Sequence, residues 1–155
     1  MSSAATSLPA IAEILPHRGR AALLDRVERH GADETVCAVE IVGSTWLHRA
    51  EGSVPSWVGI EYMAQCIAAH EGCLAHSEGR MLPPGFLVRA RRVRLHRASF
   101  RPGEILCVSA RRLRGRPRLG AMTYACRVRI GASGGELAID AELTVAVGRS
   151  ADEEK

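Results

Sequence analysis

Apolar residues are densest in Val54–Gly72 (VPSWVGIEYMAQCIAAHEG), which up to Ala69 is small or apolar almost throughout, apart from Glu61 and Gln65. A helix apolar all the way round has no solvent face, so this stretch predicts a buried helix running to about His76. Pro55 suits its first turn, with Ser53 or Ser56 as cap. Before it, Leu8–Leu15 reads as a short amphipathic helix ended by Pro16, and Arg20–His30 and Thr35–Val42 read as strands. After a Pro/Gly loop over 77–85 come four long strand candidates: Gly85–Phe100, Glu104–Arg114, Met122–Ile130 and Leu137–Val147. The last two alternate most cleanly. In the first, Val88 and Ala90 keep one phase while Val93 and Leu95 keep the other, which predicts a bulge near Arg91–Arg92. Glu104–Arg114 begins apolar in both phases, as a central strand does. A flat sheet would leave the far side of so apolar a helix wet. The order therefore predicts an α+β fold, with a curved antiparallel sheet wrapped around a long central helix.

Composition narrows the class without changing that outline. The 155 residues, 46% hydrophobic and 25% charged, suit one globular domain spanning 1–155, with flexible tails at 1–7 and 149–155. Five cysteines with no CxxC spacing read as reduced, buried thiols of a cytoplasmic protein. Cys66 and Cys73 read as core filler. No apolar run has membrane length, and no secretion signal opens the chain. The formal charge of +4 is local, because eleven arginines fall between Arg89 and Arg118. Such a run suits solvated strand faces, or an acidic protein, anionic cofactor or nucleic-acid partner. With aromatics at 4% and only Phe100 among the arginines, a base-stacking platform is disfavoured.

The candidate chemistry centres on the central helix. A carboxylate inside such a helix is costly unless it is used, and burial raises its pKa toward the range useful for handling a proton. Gln65, four residues after Glu61, shares its face and is placed to orient it. His70 falls out of phase with Glu61. Its neighbours Glu71 and His76 match no metal-ligand spacing, so no metal is expected. No phosphate loop or serine elbow is present, and no cofactor is expected.

Three motifs carry a family resemblance. LPHRGRAALLDRV (Leu15–Val27), the helix entry VPSWVGIEYMAQ and the turn RPGEIL (Arg101–Leu106) resemble those of the hotdog-fold 3-hydroxyacyl-thioester dehydratases. The tryptophan near the helix start is similar to relatives from aryl-polyene clusters. The resemblance implies a hotdog fold and a dehydratase converting 3-hydroxyacyl thioesters, bound to acyl carrier protein or coenzyme A, into trans-2-enoyl thioesters in fatty-acid or polyene biosynthesis. It also implies a homodimer or higher oligomer whose catalytic groups meet across the interface, with neither nucleic acid nor membrane insertion.

By the same resemblance, the catalytic histidine matches His48, thirteen residues before Glu61. The segment after it departs from the family's usual pattern: His48-Arg49-Ala50-Glu51-Gly52 is one residue shorter, and Ser56 stands where glycine is usual. In this reading His48 is the base and Glu61 the acid or hydroxyl-binding group. Gln65 orients it, and the backbone amides near Ser56, Trp57 and Gly59 stabilise the enolate at a helix start. His17 is the second candidate base. Arg112 and Arg114 are expected to dock an acidic carrier protein. The alternatives are an acyl thioesterase on the same fold and a non-catalytic hotdog subunit or basic binding module.

Overall fold

The computed structural model describes residues 7–43, 52–116 and 120–148. The expected tails lie outside these residues, except for Ser7. The elements, in chain order, are α1 (Ile11–Ile14), β1 (Arg26–His30), β2 (Glu34–Glu40), β3 (Val54–Pro55), α2 (Gly59–Ser77), β4 (Gly85–Leu95), β5 (Ser99–Phe100), β6 (Ile105–Arg116), β7 (Ala121–Ile130) and β8 (Leu137–Val147). Six strands form one antiparallel sheet in the order β1-β2-β6-β7-β8-β4, and β3 pairs with β5. The central helix α2 packs chiefly on β6, β2 and β7, and α1 packs on α2. The core is built from Met63, Cys66 and Ile67 of the helix against Leu106, Val108, Tyr124, Val128 and Ile139 of the sheet. An antiparallel sheet wrapped on a long helix was legible in the sequence, and this is that architecture.

The bulge expected near Arg91–Arg92 is present. The β4–β8 register shifts between Arg91 and Arg94, and Arg92 adopts φ 51° there. β6 lies at the centre of the sheet, between β2 and β7, as its two-phase apolar start predicts. All five cysteines are buried and unbridged. Among the described residues, no helix is long and apolar enough to cross a membrane.

Two expectations need correction. The helix does not begin at Pro55: Val54 and Pro55 pair with Phe100 and Ser99, a 3-10 turn follows over Ser56–Val58, and α2 starts at Gly59 without a side-chain cap. Long-range pairing overrides a local sequence that is itself compatible with a helix. Nor is α2 covered on every side. Trp57 in the preceding turn and Glu61 are exposed, and Ile60, Ala64 and Ala68 are half-buried, because the sheet covers the opposite side.

Candidate active site

The site is assembled by the chain that leads from α1 into β1. Close packing of α1 on α2 requires Gly72, since a Cβ there would lie 2.5 Å from the Ile14 carbonyl oxygen. Three residues after Ile14 comes His17. The Arg18 guanidinium tightens the turn by donating to the Leu15 and His17 carbonyls, the latter at 2.9 Å.

Gln65, fully buried, ties this segment to the helix. Its Oε1 accepts the Leu23 N–H at 2.8 Å. Its Nε2 donates to the Ala21 carbonyl at 2.7 Å and to Glu61 Oε1 at 2.9 Å. One amide therefore fixes both the backbone beside the site and the carboxylate in it, which is the orienting geometry expected of Gln65. The His17 ring is held by the same segment, with Nε2 3.8 Å from Glu61 Oε1. That is too long for a direct hydrogen bond but close enough for attraction once the ring is charged. His17 Nδ1 is buried and has no hydrogen-bond partner among the described residues.

Glu61 and His17 stand where two cavities meet. One, of about 240 Å³, follows the helix from Glu61 past Ala64 and Ala68 to Glu71, beneath Phe86, Leu87 and Val145. The other, of about 500 Å³, opens beside Trp57, Val58, Ile60 and Leu23. Both are lined by His17 and Glu61, and both are predominantly apolar. The Glu61 side chain is 51% exposed in the single chain, so the expectation of a carboxylate shut inside the domain is corrected. It lies on the helix stripe that the sheet leaves open.

The remaining predicted residues fall unevenly around this centre. His48 lies outside the described residues. Trp57 is 59% exposed at the rim of the larger cavity. The Ser56 N–H donates to the Ala98 carbonyl at 3.0 Å, and the Gly59 N–H closes the 3-10 turn onto Ser56 and Trp57. Two of the three amides expected to face a substrate oxygen thus already donate within the chain. Gly59 has a packing role as well, because a Cβ there would lie 2.1 Å from Ile139 Cδ1.

Arg112 is not a surface docking residue. Its Nη2 donates to Glu71 Oε1 at 2.6 Å, with Nε 3.5 Å from the Tyr124 hydroxyl. Arg112 continues the inward phase of Leu106, Val108 and Ala110 and so faces the helix, and the β6–β7 register shift between Arg112 and Arg114 leaves Arg114 exposed. Tyr124 also donates its hydroxyl to Glu71 Oε1. Sequence reasoning missed Glu71 and Tyr124 as one buried group. The spacing of 61, 64, 68 and 71 along one helix stripe was the available signal.

Beside this group, His70 is fully buried, with Nδ1 2.8 Å from Thr35 Oγ1. Burial lowers its pKa to about 4, against the raising effect of Glu71. The ring stays neutral near pH 7.

A comparison with family models matches residues 9–154 to the ApeP-like family, described as ApeP dehydratase. Among solved structures, the chain is similar to the dehydratase heterocomplex ApeI:P from Xenorhabdus doucetiae, at 20% identity and TM-score 0.85, covering 93% of this chain and 94% of that one. It is also similar to AziG from S. sahachiroi, at 14% identity and TM-score 0.59, covering 93% and 100%. A hypothetical thioesterase from Streptococcus pneumoniae with coenzyme A matches at 13% identity and TM-score 0.60, covering 81% and 88%. Curated protein sequences give no match. The structural likenesses establish the hotdog fold, in agreement with the motifs. With nearly the whole length matched by one family model, the chain belongs to the ApeP-like dehydratases, the hotdog-fold dehydratases of aryl polyene biosynthesis.

Proposed function

We propose that the chain dehydrates 3-hydroxyacyl thioesters, held on an acyl carrier protein or coenzyme A, to trans-2-enoyl thioesters. The supporting observation is a carboxylate held by Gln65, 3.8 Å from an imidazole, at the junction of two apolar cavities. One cavity suits the acyl tail and the other the pantetheine arm. A neutral imidazole takes the proton from the carbon beside the thioester carbonyl, and the C–O bond at the next carbon breaks. The Glu61 carboxyl group binds the departing hydroxyl and relays to it the proton captured by the imidazole, so that the hydroxyl leaves as water and both groups return to their starting state. The developing enolate is met by the turn before α2, where Trp57 supplies the third of the expected amides, beside the two that donate within the chain.

Two histidines suit the base. His17 has the geometry in this chain, and His48 has the family resemblance. Comparing His17→Ala with His48→Ala separates them, since loss of the base costs typically about 10²–10⁴-fold. Mass spectrometry of a carrier-bound 3-hydroxyacyl panel tests the reaction itself, with loss of water as the expected result. Free thiol without enoyl product would favour the thioesterase reading.

The partner reading is a homodimer or a higher oligomer built from it. Strand β4 sits at a sheet edge with all eleven residues exposed, including Phe86, Leu87 and Val88. An edge that long and apolar favours cover by another strand. A second hotdog subunit is the other candidate, since a structure similar to this chain is a heterocomplex. The mass of the purified protein in solution distinguishes monomer from self-assembly. Docking of an acidic carrier at Arg114 and residence in the reducing cytoplasm, the latter supported by the five free thiols, complete the proposal.

A further inference from the structure

The turn before α2 has no side-chain cap of its own and is held from behind by a loop outside the proposed chemistry. The Ser56 N–H donates to the Ala98 carbonyl at 3.0 Å, and Val54 and Pro55 pair with Phe100 and Ser99. Strand β5 is thus the template on which the chain enters Ser56–Val58. It pairs with β3 in a separate two-stranded sheet, over two residues. So short a ladder does not fix its own place. A side-chain fork closes the loop around it. Arg97 Nη1 and Nη2 donate to Glu104 Oε2 and Oε1 at 2.8 and 2.9 Å, and the Arg101 N–H donates to the same Oε1 at 2.6 Å. The two side chains are only 18% and 20% exposed. Burial alone would raise the Glu104 pKa, but the bonds from Arg97 and the Arg101 N–H outweigh it and hold the carboxyl below its usual value. The Ile41 N–H donates to the Glu104 carbonyl and the Gly103 N–H to the Ile41 carbonyl, both at 2.8 Å. Pro102 packs on the chain leading into β3, where a Cβ at Gly52 would lie 3.1 Å from Pro102 Cγ.

We propose that Arg97 and Glu104 are positioning residues for the reaction: their fork fixes β5, and β5 sets where the Trp57 amide stands against the thioester oxygen. This rests on the reading that the Trp57 amide meets the enolate. A bidentate guanidinium–carboxylate pair suits the task because it fixes direction as well as distance. The pair spans the root of residues 98–103, so loosening it lets Ala98, Ser99 and Phe100 shift together. Ser56 follows through its bond to Ala98, and Trp57 is the next residue. An amide donor is effective only if it is already in place when charge develops on the oxygen. A shift of about 1 Å there can cost about 10²-fold in rate. Phe100 is fully buried beside Tyr62 and keeps the loop on the core, so losing the fork spoils the aim of the turn rather than detaching it.

The test uses the full-length protein with Glu104→Ala, Glu104→Gln and Arg97→Lys. Arg97→Lys keeps the charge but not the fork. Glu104→Gln keeps an acceptor for the Arg101 N–H, and it carries the test should Glu104→Ala not fold. One readout is kcat and KM for 3-hydroxyacyl-pantetheine thioesters. The other is the infrared carbonyl stretch of a bound saturated acyl-pantetheine thioester, isotope-labelled at the carbonyl, which has no hydroxyl to lose. Binding to wild type is expected to lower the stretch, because a donor on the oxygen polarises the bond. Each variant should lose much of that shift. With KM within about twofold of wild type, kcat should fall by about 10-fold to 10²-fold, most in Glu104→Ala. A wild type that shows no shift or does not bind the probe would overturn the proposal. So would variants that keep the shift, whether kcat falls or only the unfolding midpoint does, since the fork would then serve stability alone. If wild type shows the shift and the variants lose it, but no thioester loses water, the dehydratase reading fails and the positioning stands. If the thioesters are dehydrated and the variants match wild type in kcat and shift, the positioning fails and the dehydratase reading stands.

Discussion

Replacing Gln65 with leucine removes three bonds at once while nearly preserving side-chain volume. The Leu23 N–H and the Ala21 carbonyl lose their partner, and Glu61 loses the donor that orients it. Each backbone group left unsatisfied costs about 1–3 kcal/mol. The segment is only part-buried, so water recovers some of this, and the expected loss of stability is about 2–4 kcal/mol. Urea unfolding should show it as a lower midpoint at unchanged slope. The rate should fall separately, since a misplacement of about 1 Å can cost about 10²-fold. Gln65→Glu should be worse, because it brings a second carboxylate to within hydrogen-bond distance of Glu61 and faces the Ala21 carbonyl with an acceptor. The coupling is the sharper test. If Gln65 acts through Glu61, Gln65→Leu should slow Glu61→Gln little further, although its stability cost remains. A Gln65→Leu protein with wild-type rate, or with stability within about 0.5 kcal/mol of wild type, would refute the account of this amide, since that is the range of an ordinary surface change.

Three further outcomes follow from the same contacts. Arg112→Glu should destabilise by about 3–5 kcal/mol by breaking the buried pair with Glu71, whereas Arg114→Glu should leave stability unchanged and raise KM for carrier-bound substrate only; equal unfolding midpoints for the two would count against the assignment. Gly72→Ala should cost about 1–3 kcal/mol by overpacking against Ile14, and should slow turnover by displacing the His17 segment; a melting temperature and rate equal to wild type would contradict this. His70 has its folded pKa near 4 and an unfolded value of 6.5, so its contribution is full above pH 6.5. As pH falls the unfolded chain takes up the proton first, and about 3 kcal/mol is lost by pH 4. Glu71 and Asp33 oppose this lowering, while His30 and Arg112 add to it. His70→Gln should flatten the dependence of unfolding free energy on pH in that window, and an unchanged slope would show that other groups dominate.

The sequence made some features legible because they are local. The alternation in β7 and β8, the phase slip in β4 and the apolar run of α2 each sit within one element. The features that escaped depend on partners far along the chain. Pro55 enters a strand because Ser99 is there to pair with it. Arg112 keeps the inward phase of Leu106, Val108 and Ala110, and the carboxylate that makes a guanidinium tolerable there, Glu71, lies 41 residues away on another element, which the arginine run itself does not reveal. His17 reaches Glu61 only because Gly72 admits α1 and Gln65 ties down residues 21–23. The exposure of Glu61 was hidden for a simpler reason: hydropathy reports how greasy a helix is, not how far round it one sheet can reach.

The central claim is that Glu61 handles the departing hydroxyl. The most direct measurement is the initial rate of enoyl-thioester formation by wild type and Glu61→Gln on the 3-hydroxyacyl thioester that wild type dehydrates fastest, with folding of the variant checked by its unfolding midpoint. A folded Glu61→Gln slower by about 10²-fold or more is the predicted result. A folded variant turning over at the wild-type rate would contradict the account.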